Sequence, residues 1–372
     1  MPTRDSEPAA VGAEPACPDD TTAPTFSFEL YPPRTTAAET ALTDSIDRLA
    51  ATDPEFISVT YGANGSSRQP SLAVLRRLLE HTGVRPMAHL TCVGSSYEET
   101  SRLIREFLDT GIRSFLALRG DLPPGTAEGE AFLGDLGSAG ELVQLIHRVQ
   151  LERAPFEQTD VPGFPGRKRI SSGERVTIAV GAFPNGHPRS RSIGQDLDTL
   201  LAKEAAGANL AITQLFFHAD EYLRFVDQAR TAGVTMRILP GIMPVLSPKR
   251  LERILELTGE PRPVELSRRL AEASTLGDQA SVGIEHATEL ASELLGGGAS
   301  GLHLYTFNQH EAVLSVLRGV GLLDASDRSA GSSAAHKAVA VNTDAGNAAA
   351  STAASNTPAG TAATRTTEKE PA

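Results

Sequence analysis

The sequence predicts an α/β fold, a (β/α)8 TIM barrel flanked by disordered N- and C-terminal tails. Three observations lead there. Eight short apolar runs alternate with segments of helical periodicity, polar residues recur at the C-terminal ends of those runs, and both ends of the chain lack anything to bury.

The predicted strands are 26–30, 56–60, 86–91, 114–119, 176–181, 210–214, 236–240 and 301–305. Between the first two, Leu42, Ile46 and Leu49 repeat at helical spacing, as do Leu103, Ile104, Phe107 and Leu108 between the third and fourth. Ser96 with Glu99, and Ser138 with Glu141, read as capping boxes that start helices. Gly207 and Gly233 read as helix closers just ahead of strands, and Gly296–Gly298 as another terminator. Residues 151–175 look like a polar insertion before the fifth strand. The stretch 243–280 exceeds a plain βα loop and predicts extra helices near the seventh. Strict alternation implies parallel strands, and eight units is the number that closes a barrel. An open doubly wound sheet would carry a G-x-G-x-x-G turn after its first strand, where this chain has Tyr31-Pro32-Pro33-Arg34.

The domain reading follows: 1–24 a disordered leader, 25–323 the barrel, 324–372 a disordered low-complexity tail. The leader is rich in Pro, Ala, Asp and Glu, and the tail has no Leu, Ile or aromatic residue, so neither can offset its ordering entropy. A formal charge of −12 argues against nucleic acid or an anionic membrane as partner. Two cysteines, Cys17 and Cys92, no apolar leader and no run long enough to span a bilayer fit a cytoplasmic protein. Asn64-Gly65-Ser66 matches a glycosylation sequon, which without a secretory signal is incidental.

In a barrel of this kind chemistry sits at the C-terminal strand ends. Those ends hold Glu29, Thr60-Tyr61, His89, Arg119-Gly120-Asp121, Phe183 followed by His187, Gln214, and His303 with Tyr305. Each has a plain alternative. Glu29 could be a surface carboxylate, but it lies in an apolar run, where a carboxylate is costly unless paired or used. His89 could be a satisfied core histidine, His187 a turn former, Gln214 a partner for backbone groups, and Arg119 with Asp121 a local ion pair. The glycine between those two suggests close backbone approach to a ligand. Cys92 reads as a small buried hydrophobe. No histidine or cysteine spacing suits a metal, and there is no nucleophile elbow or phosphate loop.

Taken in order, Phe28-Glu29-x-x-Pro32-Pro33, Ser58-Val59-Thr60-Tyr61-Gly62-Ala63, His89-Leu90-Thr91-Cys92, Leu118-Arg119-Gly120-Asp121, Ile212-Thr213-Gln214 with Phe216-Phe217, Pro240-Gly241-Ile242-Met243-Pro244 and Leu302-His303-x-Tyr305-Thr306 resemble the methylenetetrahydrofolate reductases. The likeness spans nearly all of 25–320. It implies a barrel that binds FAD and takes electrons from NADH or NADPH. The implied reaction reduces 5,10-methylenetetrahydrofolate to 5-methyltetrahydrofolate, feeding methionine synthesis. By the same resemblance Glu29 is the general acid that helps open the folate ring, and Asp121 contacts the pterin and tunes the flavin. Gln214 touches folate and nicotinamide. Thr60, Tyr61, Ala63, His89, Arg119, Gly120, Ala139, Phe183, His187, Asp196 and Lys203 fall on cofactor-binding positions. The resemblance also implies a homo-oligomer, with folate as its small-molecule substrate.

The chain departs from the family pattern in several places. Phe183 stands where some bacterial members have Tyr, and Ala202 where a basic residue helps hold the pyrophosphate. Gln309, a substrate-binding position, stands where several relatives use Arg for the folate glutamate, and Arg250 where some have Gln. Two other readings of the same residues are a flavin-free reductase or pterin-binding transferase on a barrel, and a non-redox pterin-binding protein.

Overall fold

The computed structural model describes residues 23–60, 68–120, 134–153, 157–160, 168–171 and 175–324. Apart from 23–24 and 324, the predicted tails lie outside them, as do the Asn64 sequon, Tyr61, Ala63 and Asp121.

Strands and helices alternate through the chain: β1 (Thr25–Leu30), α1 (Thr36–Ala50), β2 (Ile57–Val59), α2 (Arg68–His81), β3 (Pro86–Thr91), α3 (Tyr97–Thr110), β4 (Ser114–Leu118) and α4 (Ala139–Arg153). After α4 comes an antiparallel hairpin, β5 (Glu157–Asp160) with β6 (Lys168–Ser171), standing apart from the main sheet within the stretch read as a polar insertion. The alternation resumes with β7 (Thr177–Ala182), α5 (Ile193–Ala205), β8 (Leu210–Thr213), α6 (Ala219–Thr231), β9 (Arg237–Leu239) and β10 (Gly241–Ile242). The chain then runs through α7 (Pro248–Thr258), α8 (Val264–Glu272) and α9 (Leu276–Gly296) to β11 (Gly301–Tyr305) and α10 (His310–Gly319). The extra helices expected in 243–280 are α7, α8 and the start of α9.

All strands of the main sheet run parallel, in the order β10-β11-β1-β2-β3-β4-β7-β8-β9. β9 and β10 are separated by Pro240 alone, so the two edges of that order are halves of one strand. Proline has no N–H to offer a ladder, and the pairing divides there. β9 pairs with β8, and β10 pairs with β11. The Pro240 carbonyl accepts from the His303 N–H at 2.9 Å, and the Gly241 N–H donates to the Thr213 hydroxyl oxygen at 2.9 Å. The seventh predicted strand, 236–240, is thus β9, and the residues just past Pro240 close the ring as β10.

Period-two alternation places the side chains. Phe28, Leu30, Val59, Leu90, Phe115, Val180 and Leu304 share a cluster with helix residues such as Ile46, Leu75, Ile104 and Ile146, so they face outward to the helical layer. Each large apolar side chain buried this way contributes about 1.5–3 kcal/mol. The alternate positions face the lumen, whose lower part is filled by Phe56, Met87, Leu116, Ala179, Leu210, Ile212 and Leu239. At the N-terminal end Arg237 joins the closing strand to its neighbours. Its guanidinium holds both oxygens of Glu55 at 2.9 Å and reaches Thr25 and Ser300.

The cap signals behave as local chemistry requires. Ser96 and Glu99 form a full capping box at α3. At α4 the Ser138 hydroxyl oxygen accepts from the Glu141 N–H at 3.2 Å, but the Glu141 carboxylate accepts from the Gly137 N–H at 2.9 Å and the Ser138 hydroxyl at 3.4 Å rather than from the Ser138 N–H. That half of the box slips one residue. Gly207 and Gly233 are left-handed, at φ 111° and 99°, as helix closers require.

Candidate active site at the barrel mouth

Outward Phe28 and Leu30 force Glu29 into the lumen, at the C-terminal end of β1 and 4% exposed. The same alternation turns His89 of β3 and His303 of β11 inward, 1% and 0% exposed. The Thr60 hydroxyl donates to Glu29 Oε1 at 3.1 Å. The opposite oxygen, Oε2, lies 3.5 Å from His89 Nε2 and 3.8 Å from His303 Nε2. Those separations exceed a good N–H···O bond. Both ring nitrogens of His89 and Nε2 of His303 are buried without a hydrogen-bond partner among the described residues. His303 Nδ1 is 2.8 Å from the Ser27 hydroxyl. Burial pushes the His89 imidazole down to about 4, more than the nearby Glu29 raises it. It is neutral at physiological pH, so its approach to Glu29 is not a charged pair. His89 is therefore no satisfied core histidine. Its ring nitrogens keep unused hydrogen-bonding capacity beside the carboxylate.

Tyr305 completes this wall. Its hydroxyl donates to the Thr213 carbonyl at 2.8 Å, and burial raises it well above the ordinary phenol range, with Glu29 adding to the effect. The Thr306 hydroxyl donates to the Glu29 carbonyl at 2.8 Å. Asn308, at φ 60°, clamps the end of β1 by accepting from the Tyr31 N–H and donating to the Tyr31 carbonyl. Gln214, 5% exposed, turns Oε1 onto the N–H of Leu215 at 2.7 Å, so one arm does satisfy backbone as its plain reading held.

A second group gathers where β4, β7 and α5 meet. The Lys203 ammonium donates to the Gly181 carbonyl at 2.9 Å. Burial lowers it to about 8, with Asp196 pulling the other way. Asp196 accepts from the His187 N–H at 3.1 Å and from the Ser190 hydroxyl. His187 does order a turn, because its Nδ1 accepts from the Arg189 N–H at 3.1 Å. The ring proton of the neutral form is then on Nε2. Its ring meets Phe183 edge to face, centroids 4.6 Å apart. Burial lowers His187, Asp196 opposes that, and Lys203 and Arg119 push the same way as burial. Arg119 of the β4 end is therefore an electrostatic neighbour of this cluster. Ala139, the first residue of α4, is buried.

Gly120 stands at φ 87°, and a Cβ there would lie 2.7 Å from Val93 and 2.9 Å from Thr91. Close packing against the end of β3 therefore also requires a glycine here. Cys92 is buried with its thiol pushed up to about 11, the inert hydrophobe expected of it. Among the described residues no cluster of His, Cys, Asp or Glu could hold a metal, and no helix is long and apolar enough to cross a membrane.

The structure thus brings together Glu29, Thr60 and His89, and separately Arg119, Phe183, His187, Asp196 and Lys203. Asp121, Tyr61 and Ala63 lie outside the described residues. His303 was legible only as part of a motif. Its role beside Glu29 depends on the β1–β11 register, which pairs Ser27 with His303 and Glu29 with Tyr305.

Comparison with known proteins bears on this site. The methylenetetrahydrofolate reductase family model matches residues 17–321. The 5,10-methylenetetrahydrofolate reductase of Escherichia coli strain K12 is 34% identical over 300 residues, covering 80% of this chain and 90% of that protein. Methylenetetrahydrofolate reductase (NADH) 1 of Arabidopsis thaliana is 32% identical over 312 residues, covering 81% of this chain and 49% of that one. Among solved structures, an uncharacterized protein from Clostridium thermocellum, described as binding two copies of 5-methyl-5,6,7,8-tetrahydrofolic acid, superposes with TM-score 0.51 at 13% identity. That likeness covers 80% of this chain and 94% of the other, and it speaks for the fold alone. With the family model spanning most of the chain and relatives above 30% identity over four-fifths of it, the chain belongs to the methylenetetrahydrofolate reductase family.

Proposed function

We propose that this chain reduces 5,10-methylenetetrahydrofolate to 5-methyltetrahydrofolate, using FAD and either NADH or NADPH, in the cytoplasm and in support of methionine synthesis. The observation that carries the reading is Glu29, a buried carboxyl at the barrel mouth that among the described residues takes a side-chain hydrogen bond from Thr60, and whose other oxygen faces the unpartnered His89 ring and the unpartnered Nε2 of His303. A purely structural carboxylate there would be a poor choice, since burial costs several kcal/mol without full pairing.

The donor set fits a flavin dinucleotide. Among the described residues neither Lys203 nor Arg119 is in an ion pair, so both cations are available to phosphate, and the buried His89 nitrogens have hydrogen-bonding capacity to spare. Thr60, Tyr61, Ala63, His89, Arg119, Gly120, Asp121, Ala139, Phe183, His187, Asp196 and Lys203 would hold it. When bound, FAD supplies the hydride carriage between nicotinamide and folate that no side chain provides. Glu29 gives a proton to the ring nitrogen released as the folate's five-membered ring opens, and Thr60 fixes the orientation of its carboxyl. Asp121 and Gln214 position the pterin, and the apolar cluster that holds Phe217 and Tyr305 limits water.

Freshly purified protein is expected to be yellow and, on denaturation, to release FAD identified by chromatography. Release of FMN, or failure to take up any flavin, would remove this reading and favour a flavin-free barrel enzyme.

A further inference from the structure

His303 is a fully buried titratable side chain with no part in the steps assigned to Glu29. Two rings fix its plane. Phe56 stacks on it with centroids 5.7 Å and planes 24° apart, and Tyr305 meets it edge to face at 5.3 Å. The parallel register of β1 and β11 sets Ser27 beside it, and the Ser27 hydroxyl lies 2.8 Å from His303 Nδ1. Nε2 has no hydrogen-bond partner among the described residues and lies 3.8 Å from Glu29 Oε2. For packing alone, a leucine or phenylalanine would fill this place without an orphaned nitrogen.

Those contacts decide which nitrogen carries the proton of the neutral ring. Ser27 has one hydroxyl proton, and it is donated to the Leu302 carbonyl at 3.4 Å. The short contact to His303 then runs the other way, with Nδ1–H donating to the Ser27 oxygen. Nε2 is left with a lone pair beside the carboxyl. In the opposite tautomer Ser27 would give its proton to Nδ1 and lose the Leu302 contact. A buried Nε2–H would then stand without an acceptor in bonding range.

The negative end of the imidazole dipole therefore faces Glu29. At 3.8 Å this is no hydrogen bond, but it disfavours charge on Oε2 and favours the neutral acid. The other titratable neighbours add no charge there. His89 of β3, pushed down to about 4 by burial, is neutral. Tyr305 of β11, raised well above the ordinary phenol range with its hydroxyl given to the Thr213 carbonyl, keeps its proton. Thr60, just past β2, donates to the opposite oxygen, Oε1.

We propose that His303, held by Ser27 as the Nδ1–H tautomer, is a positioning residue that keeps Glu29 in its acid form until the folate takes the proton. The proposal rests on the folate-reducing reading above.

The first test needs no turnover. In the purified full chain labelled with 15N-histidine, long-range 1H–15N spectra distinguish a ring nitrogen that carries a proton from one that does not. The signals lost in His303→Phe belong to His303. At about pH 7 they are expected to show a proton on Nδ1 and none on Nε2, and in Ser27→Ala the proton should move to Nε2. The second test is the pH profile of the folate half-reaction by rapid mixing. In Ser27→Ala its alkaline limb should move to lower pH by about half a unit or more, with flavin reduction by nicotinamide unchanged. Ser27→Thr, which keeps the hydroxyl, should return the limb toward its natural place. A merely structural role would lower the rate without moving the limb. A proton on Nε2 in the natural chain, a doubly protonated ring, or a limb that Ser27→Ala leaves in place overturns the proposal. If the natural chain reduces no folate, the folate-reducing reading fails instead, and the ring-nitrogen spectra alone decide on the tautomer.

Discussion

Lys203 and Glu29 show what burial does to a single charged residue. Lys203 spends one of its three donors on the Gly181 carbonyl and forms no ion pair among the described residues, and burial brings its ammonium down to about 8. The sign follows directly. The cation is present below about 8 and lost as pH rises through that value, so any anion it holds is released on the alkaline side. The affinity of the flavin-free protein for FAD, followed by quenching of flavin fluorescence, should fall between pH 7 and pH 9.5. In Lys203→Met it should be about ten- to hundredfold weaker at pH 7 and nearly flat with pH. A dependence on pH that survives the substitution would assign the effect to another group. Glu29 was legible because a carboxylate inside Phe-Ser-Phe-Glu-Leu has no cheap explanation. Arg250 was legible only as a departure from a family pattern. In the string Pro-Lys-Arg-Leu-Glu-Arg it looks like one more solvated helix charge, and only its place over the ring of Phe307, nearly sixty residues away, sets it apart.

At the scale of elements, hydrophobic alternation and cap chemistry located the parallel strands to within a residue or two, because both are local. Pro240 is the instructive position. The strand predicted over 236–240 is β9, and the two residues beyond it, Gly241 and Ile242, form β10 in the same strand's place in the ring. The missing N–H and the Gly241 backbone break the ladder there, and the break became visible only with the partners on either side. The β5–β6 hairpin was invisible for a different reason. Its strands, Glu-Gln-Thr-Asp and Lys-Arg-Ile-Ser, carry almost no apolar alternation, the pattern by which the other strands were read. Gly120 shows a signal with a further source inside the chain. The sequence argued for close approach to a ligand, and within the chain a Cβ there would also meet Thr91 and Val93.

For the molecule as a whole, the closed ring makes Glu29, His89 and His303 neighbours although they are up to 274 residues apart in sequence. The ends of the chain are proposed to contribute nothing to that ring. Residues 324–372 hold no Leu, Ile or aromatic side chain, so their deletion should leave flavin content and the thermal midpoint within about 2 °C of the full chain. A larger loss of either, measured by absorbance and calorimetry, would show that the tail packs on the barrel or between subunits. The central claim concerns two reactions that share this one mouth and need different things from it. Transfer from nicotinamide to flavin requires no proton for folate, whereas opening the folate ring does. Glu29→Gln keeps the size and the bond from Thr60 but removes the acidic proton. The decisive measurement is rapid-mixing absorbance of each half-reaction on the same preparation of Glu29→Gln. Flavin reduction by nicotinamide should be slowed at most a few-fold, and the folate half should fall about 10²-fold or more. Equal losses in both halves, or none in the folate half, would contradict the account.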